Sequence, residues 1–209
     1  MAALTGKTGI NTFLGAIKNG MAMSNTFEVR FNKLPAKLTK ALTAAGFGTN
    51  VIGSATDNLT LLCEEASLPG IMASTGQTTG VLMGEGQINY AHTKSYQDIT
   101  LGWTCDTNLL PLRFLNAWTG VIFDDVTKVG DGRYSRNRLS YPNDYMCPEL
   151  IITKGERNKD STLGRIGGIY TLYDAWPYSI QSTPVSYGAS VLLKVTASFY
   201  YRRWIFKNK

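Results

Sequence analysis

The 209-residue chain suits one domain, or one domain with long insertions, and its 44% hydrophobic content allows a sizeable core. Charged residues make up only 17%, below the ~25% of an average soluble chain, so much of the surface is expected to face other protein. A single histidine and three widely spaced cysteines with no CxxC pair exclude the usual zinc sites.

The net charge of +6 is unevenly placed. Residues 1–50 hold six basic side chains and one acid, and residues 202–209 add four basic ones, whereas residues 51–201 hold eleven bases and fourteen acids. A nucleic-acid groove needs a clustered basic face, and the mildly acidic body does not supply one. No signal-like opening and no run near the ~18 apolar residues of a membrane span is present, so no membrane partner is expected. The cysteines then read as free thiols in a reducing cytoplasm.

In chain order, residues 1–24 form a glycine-rich arm. Phe13, Leu14 and Ile17 make one side of a short amphipathic turn that Asn19 and Gly20 would stop. The arm is either a loose terminus or a segment that orders against a neighbouring subunit. Residues 25–209 are expected to be one β domain. Phe27, Val29 and Phe31 alternate with polar residues, the period of a half-buried strand. Residues 34–58 are rich in Lys, Ala and Gly and read as an insertion whose stretch 36–45 is compatible with a helix. Leu59, Leu61 and Cys63 alternate as a second strand, closed by Leu68-Pro69-Gly70. Residues 71–95 suit a long hairpin or a loop.

Ile99, Leu101, Trp103 and Cys105 define a third strand. The period then changes, and Leu109, Leu112, Leu115, Trp118 and Ile122 fall on one helix face. Thr107 or Asn108 is the expected cap, with Pro111 in the first turn. Residues 124–148 read as a second insertion or loop, containing Arg133, Arg136 and Arg138. Leu150–Ile152 form a short strand, and Ile169–Trp176 another that Pro177 stops. The final strand is predicted over residues 191–201. Val195, Ala197, Phe199 and Tyr201 face one way on it, and Lys194, Thr196, Ser198 and Tyr200 the other. Strands, one helix, then more strands predict an antiparallel β-sandwich or barrel with one flanking α-helix.

Catalytic patterns fail on specific positions. Gly6-Lys7-Thr8 resembles the end of a phosphate loop, but Met1 stands where that motif needs its first glycine. Gly130-Asp131-Gly132 and Gly164–Gly168 read as turns. His92 has no nucleophile pattern around it. Glu64 and Glu65 are adjacent, and neighbours on a regular strand point to opposite faces, so they are not expected to share a site. No catalytic residue, metal or cofactor is assigned. Tyr200, Tyr201 and Trp204 beside Arg202 and Arg203 fit either a base-stacking platform or a subunit interface, and the acidic body favours the interface.

Five segments in order carry a resemblance: residues 20–31 (GMAMSNTFEVRF), 61–70 (LLCEEASLPG), 96–104 (YQDITLGWT) leading into a helix, 170–177 (YTLYDAWP) and 200–204 (YYRRW). Together they resemble the tail tube proteins of contractile-tailed, T4-type bacteriophages. The resemblance implies a structural virion protein, assembled in the host bacterial cytoplasm, and not an enzyme. Six subunits would form a ring whose sheets join into one inner barrel. Homo-hexameric rings would stack into a tube inside a tail sheath protein, between baseplate and tail terminator proteins, with viral DNA passing through unbound. In that setting Phe13 and Ile17 are candidates for docking on an adjacent ring, and residues 71–95 for reaching it. Tyr200, Arg202, Arg203 and Trp204 are candidate interface residues, and Lys194, Thr196 and Ser198 candidate lumen-facing ones. The insertion at 34–58 and the Arg133–Arg138 cluster depart from the compact tube pattern. They fit a sheath-gripping outer surface, or a tube initiator or terminator. A type VI secretion-like tube subunit is a further alternative.

Overall fold

A computed structural model describes residues 22–47, 58–80, 86–123, 139–156, 165–185, 187–188 and 192–208. Alternation of apolar and polar side chains builds two antiparallel sheets. The first runs β1 (Phe27–Lys33), β6 (Cys147–Glu156), β7 (Arg165–Ile180), β9 (Arg203–Lys207). The second runs β7, β8 (Lys194–Tyr200), β5 (Ile99–Thr104), β2 (Cys63–Ala66). β7 belongs to both: residues up to Ala175 pair with β6, and Trp176–Ile180 pair with β8. A strand that passes from one sheet to the other forms the corner of a sandwich, and such corners need a bulge or a bend. Here Asp174 adopts φ +58, one of two positive-φ residues other than glycine among the described residues.

The core lies between the sheets. Val29, Phe31, Leu150, Ile152 and Leu172 enter it from the first sheet, and Ile99, Leu101, Trp103, Val195, Ala197 and Phe199 from the second. Helix α2 (Leu110–Ile122) closes one end. Its Trp118 lies 5.6 Å from Phe31 and 6.0 Å from Phe199 between ring centroids, so one indole touches both sheets. Two buried Trp N–H groups are satisfied by backbone carbonyls: Trp118 Nε1 donates to Tyr145 O at 2.8 Å, and Trp103 Nε1 to Leu59 O at 3.1 Å. Tyr145 ends the short helix α3 (Pro142–Tyr145).

Residues 36–45 do form a helix, α1 (Ala36–Ala44). It buries Leu38 and Leu42 beside α2, so the segment adds to the core. Its end is a Schellman turn: Phe47 N donates to Leu42 O, Gly46 N to Thr43 O, and Gly46 takes the required φ of +91. Arg113 of α2 donates to the exposed Ala45 carbonyl at the same end.

Several sequence expectations are corrected. The second strand does not begin at Leu59; residues 58–62 are helical and the strand starts at Cys63. Leu59 is buried while Leu61 is 81% exposed, because a helical turn does not alternate faces. Helix α2 is capped by neither Thr107 nor Asn108: Asp106 Oδ1 accepts the Leu110 N–H at 2.7 Å, and Leu109 occupies a left-handed N-cap. Pro177 does not stop β7. It sits at a bulge against β8, where the break in the ladder tolerates a residue with no N–H. The short strand at 150–152 extends over Cys147–Glu156. The final strand is not continuous over 191–201; it spans Lys194–Tyr200, then breaks, and β9 begins at Arg203. Position 191, residues 48–57 and residues 124–138 lie outside the described residues.

Candidate functional site

The outward face of the second sheet carries mostly polar side chains. The register aligns Glu65 with Gly102 and Thr196, Thr100 with Ser198 and Ser179, and Thr104 with Lys194. Gly102 lies under Glu65: a Cβ there would sit 3.2 Å from Glu65 Cβ. Glu64, Glu65, Gly102, Lys194 and Thr196 line a shallow groove of about 240 Å³. Lys194 Nζ meets Glu64 Oε2 at 2.5 Å, and this contact holds the Glu64 carboxyl below its usual range and pushes the Lys194 ammonium up. The two adjacent glutamates therefore do share one groove. A bulge between Cys63 and Glu65 breaks the alternation that would have separated them.

Both edges of this sheet carry such a bulge. Among the described residues, β2 pairs only with β5, and Trp176–Ile180 of β7 pair only with β8. The extra residue is Glu64 on one edge and Tyr178 on the other. Each is tied across the neighbouring strand, Glu64 to Lys194 on β8 and Tyr178 Oη to Asp98 Oδ2 at 2.5 Å. Bulged edges resist indiscriminate pairing with other chains.

A hairpin of β3 (Ile71–Thr78) and β4 (Ile88–Tyr96) continues the β2–β5 pair away from the body. Its eight paired positions span about 26 Å at ~3.3 Å per residue. Most of its side chains are exposed, including Ile71, Met72, Ile88 and Tyr90. Met72, Tyr90 and Ile88 share one face, with the Tyr90 ring lying over Gly76. His92 sits at the hairpin bulge, exposed, with Nδ1 2.7 Å from Thr93 Oγ1.

A sequence model of the phage tail tube proteins matches residues 22–207. The chain belongs to the phage tail tube protein family. Solved structures of similar fold include an extracellular contractile injection system, the PVC sheath-tube complex in the extended state. That match has 12% identity and a TM-score of 0.51, over 90% of this chain and 93% of the other. The tube-terminating cap of the anti-feeding prophage matches at 12% identity and TM-score 0.51, over 90% and 92% of the two chains. The PVC sheath/tube terminator matches at 10% identity and TM-score 0.51, over 90% and 96%. A search of curated proteins finds no match.

On this tail tube fold the sequence-predicted residues are dispersed. Phe13 and Ile17 lie outside the described residues. Lys194 and Thr196 do face outward on the second sheet, but Ser198 shares that face only nominally, being buried at 9% exposure. The corner splits the aromatic cluster. Tyr200 stays on the outer side, stacked on Tyr178 with centroids 3.9 Å apart. Tyr201 turns inward against Tyr96, and Trp204 packs on Tyr170 of the first sheet. Tyr201 Oη and Trp204 Nε1 are buried with no hydrogen-bond partner among the described residues. The three rings cannot form one base-stacking platform. Arg202 pairs with Asp174, and Arg203 lies over the Tyr173 ring at 5.0 Å. The bulge residues Glu64 and Tyr178 were not legible as site residues, since a bulge leaves no periodic signal. Strand β9 was: its Trp204 and Phe206 alternate with Arg203, Ile205 and Lys207.

Proposed function

We propose that this chain is a tail tube subunit whose copies close into homo-hexameric rings by joining the second sheet edge to edge. The observation that carries this reading is the direction of the two open edges. Strands β7, β8, β5 and β2 alternate in direction, so the edge of β2 runs opposite to that of β7. Rotation about a ring axis then brings β2 of one copy antiparallel to β7 of the next at every junction. Closure removes the open edges, as it does in any barrel. The outer face of that sheet becomes the wall of the lumen. Its small hydroxyl side chains, with Glu64 and Glu65 against Lys194, suit a wet channel that repels phosphate and lets viral DNA pass during ejection.

In this reading the hairpin Ile71–Tyr96 reaches a neighbouring ring, where its exposed apolar face is covered, and the arm holding Phe13 and Ile17 docks beside it. Rings stack into the inner tube of a contractile tail, with the sheath outside and baseplate and terminator at the ends. Tyr200, Arg202 and Arg203 serve the contacts between copies. The similarity extends equally to a tube complex, a cap and a terminator, which supports a second reading as an end protein of the tube. Negative-stain imaging of the purified chain decides between them. Long hollow tubes are expected for the tube subunit and single rings for an end protein. Monomers persisting across concentration and salt would refute both.

A further inference from the structure

Tyr178 and Tyr200 stand on neighbouring strands with ring planes only 19° apart and centroids 3.9 Å apart. Both rings are exposed, at 40% and 46%. The Tyr178 hydroxyl donates to Asp98 at 2.5 Å, so a carboxylate already sits at the phenolic proton. Trp176 lies 5.9 Å from Tyr200, which makes the pair the outer end of an aromatic row.

We propose that Tyr178 and Tyr200 form an oxidative cross-linking site, at which a one-electron oxidant couples the two rings into a dityrosine that staples β7 to β8. The oxidant is of the haem-peroxidase class, with hydrogen peroxide as the terminal acceptor. One electron leaves each ring, and each phenol releases its hydroxyl proton, that of Tyr178 to Asp98. The two phenoxyl radicals join through ring carbons adjacent to the oxygen-bearing carbons. The hydrogens on those carbons then move to the oxygens and restore both phenols. The balance is one C–C bond formed, two C–H bonds broken, two electrons and two protons released, and one hydrogen peroxide reduced to two waters.

Three features favour this pair over other tyrosines. A phenol is neutral near pH 7, so its oxidation needs a base in place to take the proton; the hydrogen bond to Asp98 pushes the Tyr178 phenol higher still. A carboxylate within hydrogen-bond reach is such a base. Prepositioned rings in one chain also react at an effective concentration far above that of micromolar protein. Tyr187 and Tyr141 are more exposed but have no stacked ring among the described residues. Both rings belong to one copy, so the link forms within a single chain and is tested on the unassembled protein.

The test treats the full chain at micromolar concentration with a haem peroxidase and hydrogen peroxide. Dityrosine fluorescence and mass spectrometry of digests are the readouts. An intrachain link between Tyr178 and Tyr200, lighter by two hydrogens, is expected as the main product. It should vanish in Tyr178→Phe and in Tyr200→Phe, which keep the ring stack, and form ~10-fold or more slowly in Asp98→Asn. Links dominated by Tyr141 or Tyr187 between chains, or fluorescence unchanged in Tyr200→Phe, would overturn the site. An unchanged rate in Asp98→Asn would overturn the role of Asp98. Circular dichroism of each variant separates these outcomes from misfolding.

Discussion

Arg202 Nε lies 2.8 Å from Asp174 Oδ2, and the Arg202 N–H donates to the carbonyl of Tyr173 at 2.9 Å. This pair marks the level at which two strands change sheets together. β7 leaves the first sheet for the second at Asp174, and the chain leaves β8 for β9 at Tyr201 and Arg202. The left-handed backbone at Asp174 is a conformation that aspartate tolerates better than most residues, and the ion pair adds a contact across the break.

The backbone matters more than the charge at this corner. Asp174→Val should destabilise by about 2 kcal/mol, since a β-branched residue is poorly suited to a left-handed φ. Arg202→Ala should cost about 1 kcal/mol or less, because its side chain is 70% exposed and water screens the pair. Asp174→Gly should be milder than Asp174→Val. Urea titrations of the three variants check the order, and an Arg202→Ala loss exceeding that of Asp174→Val would contradict it.

Trp118 joins both sheets to α2 and donates to a buried carbonyl. Trp118→Phe should lose about 2–4 kcal/mol, from the smaller ring and from the Tyr145 carbonyl left without its donor. Phe199→Ala should cost ~3–5 kcal/mol, the usual range for removing a fully buried ring. Denaturant midpoints at unchanged slope would give both values.

Burial pushes the Cys63 and Cys147 thiols and the Tyr201 phenol up to about 12. The neutral forms are therefore favoured in the folded chain. Their contribution is fully present below the unfolded pKa values of ~8.5 for thiols and ~10 for tyrosine, and is lost as pH rises towards the folded values. Thermal melting should fall progressively between about pH 9 and pH 12. Cys147→Ala should flatten the thiol part of that fall, and a melting temperature independent of pH across this window would contradict the prediction.

The hairpin contributes little to the body that carries it, since its side chains are mostly exposed. Replacing residues 72–95 by a short turn should leave the unfolding midpoint of the body within about 1 kcal/mol of the parent. The same variant should fail to form tubes. Tubes of normal length in electron micrographs would remove the hairpin from the proposed stacking contacts.

Composition and alternation alone determined that this is a β protein with a helix over the core, and the order of short motifs pointed to a tail tube. Alternation works because a strand buried on one face must place its apolar residues at every second position, as Val195, Ala197 and Phe199 do. Those same letters could not reveal where alternation stops. The bulges at Glu64 and Tyr178, the helical turn under Leu59 and the corner at Asp174 are set by contacts between segments distant in sequence. Only the tertiary structure decided that Glu64 and Glu65 share a groove and that Tyr200 and Trp204 part company. It also decided that, among the described residues, the second sheet ends in two open edges running in opposite directions. Periodicity reports which residues are buried, whereas register and bulges report what they face, and only the packed chain fixes those.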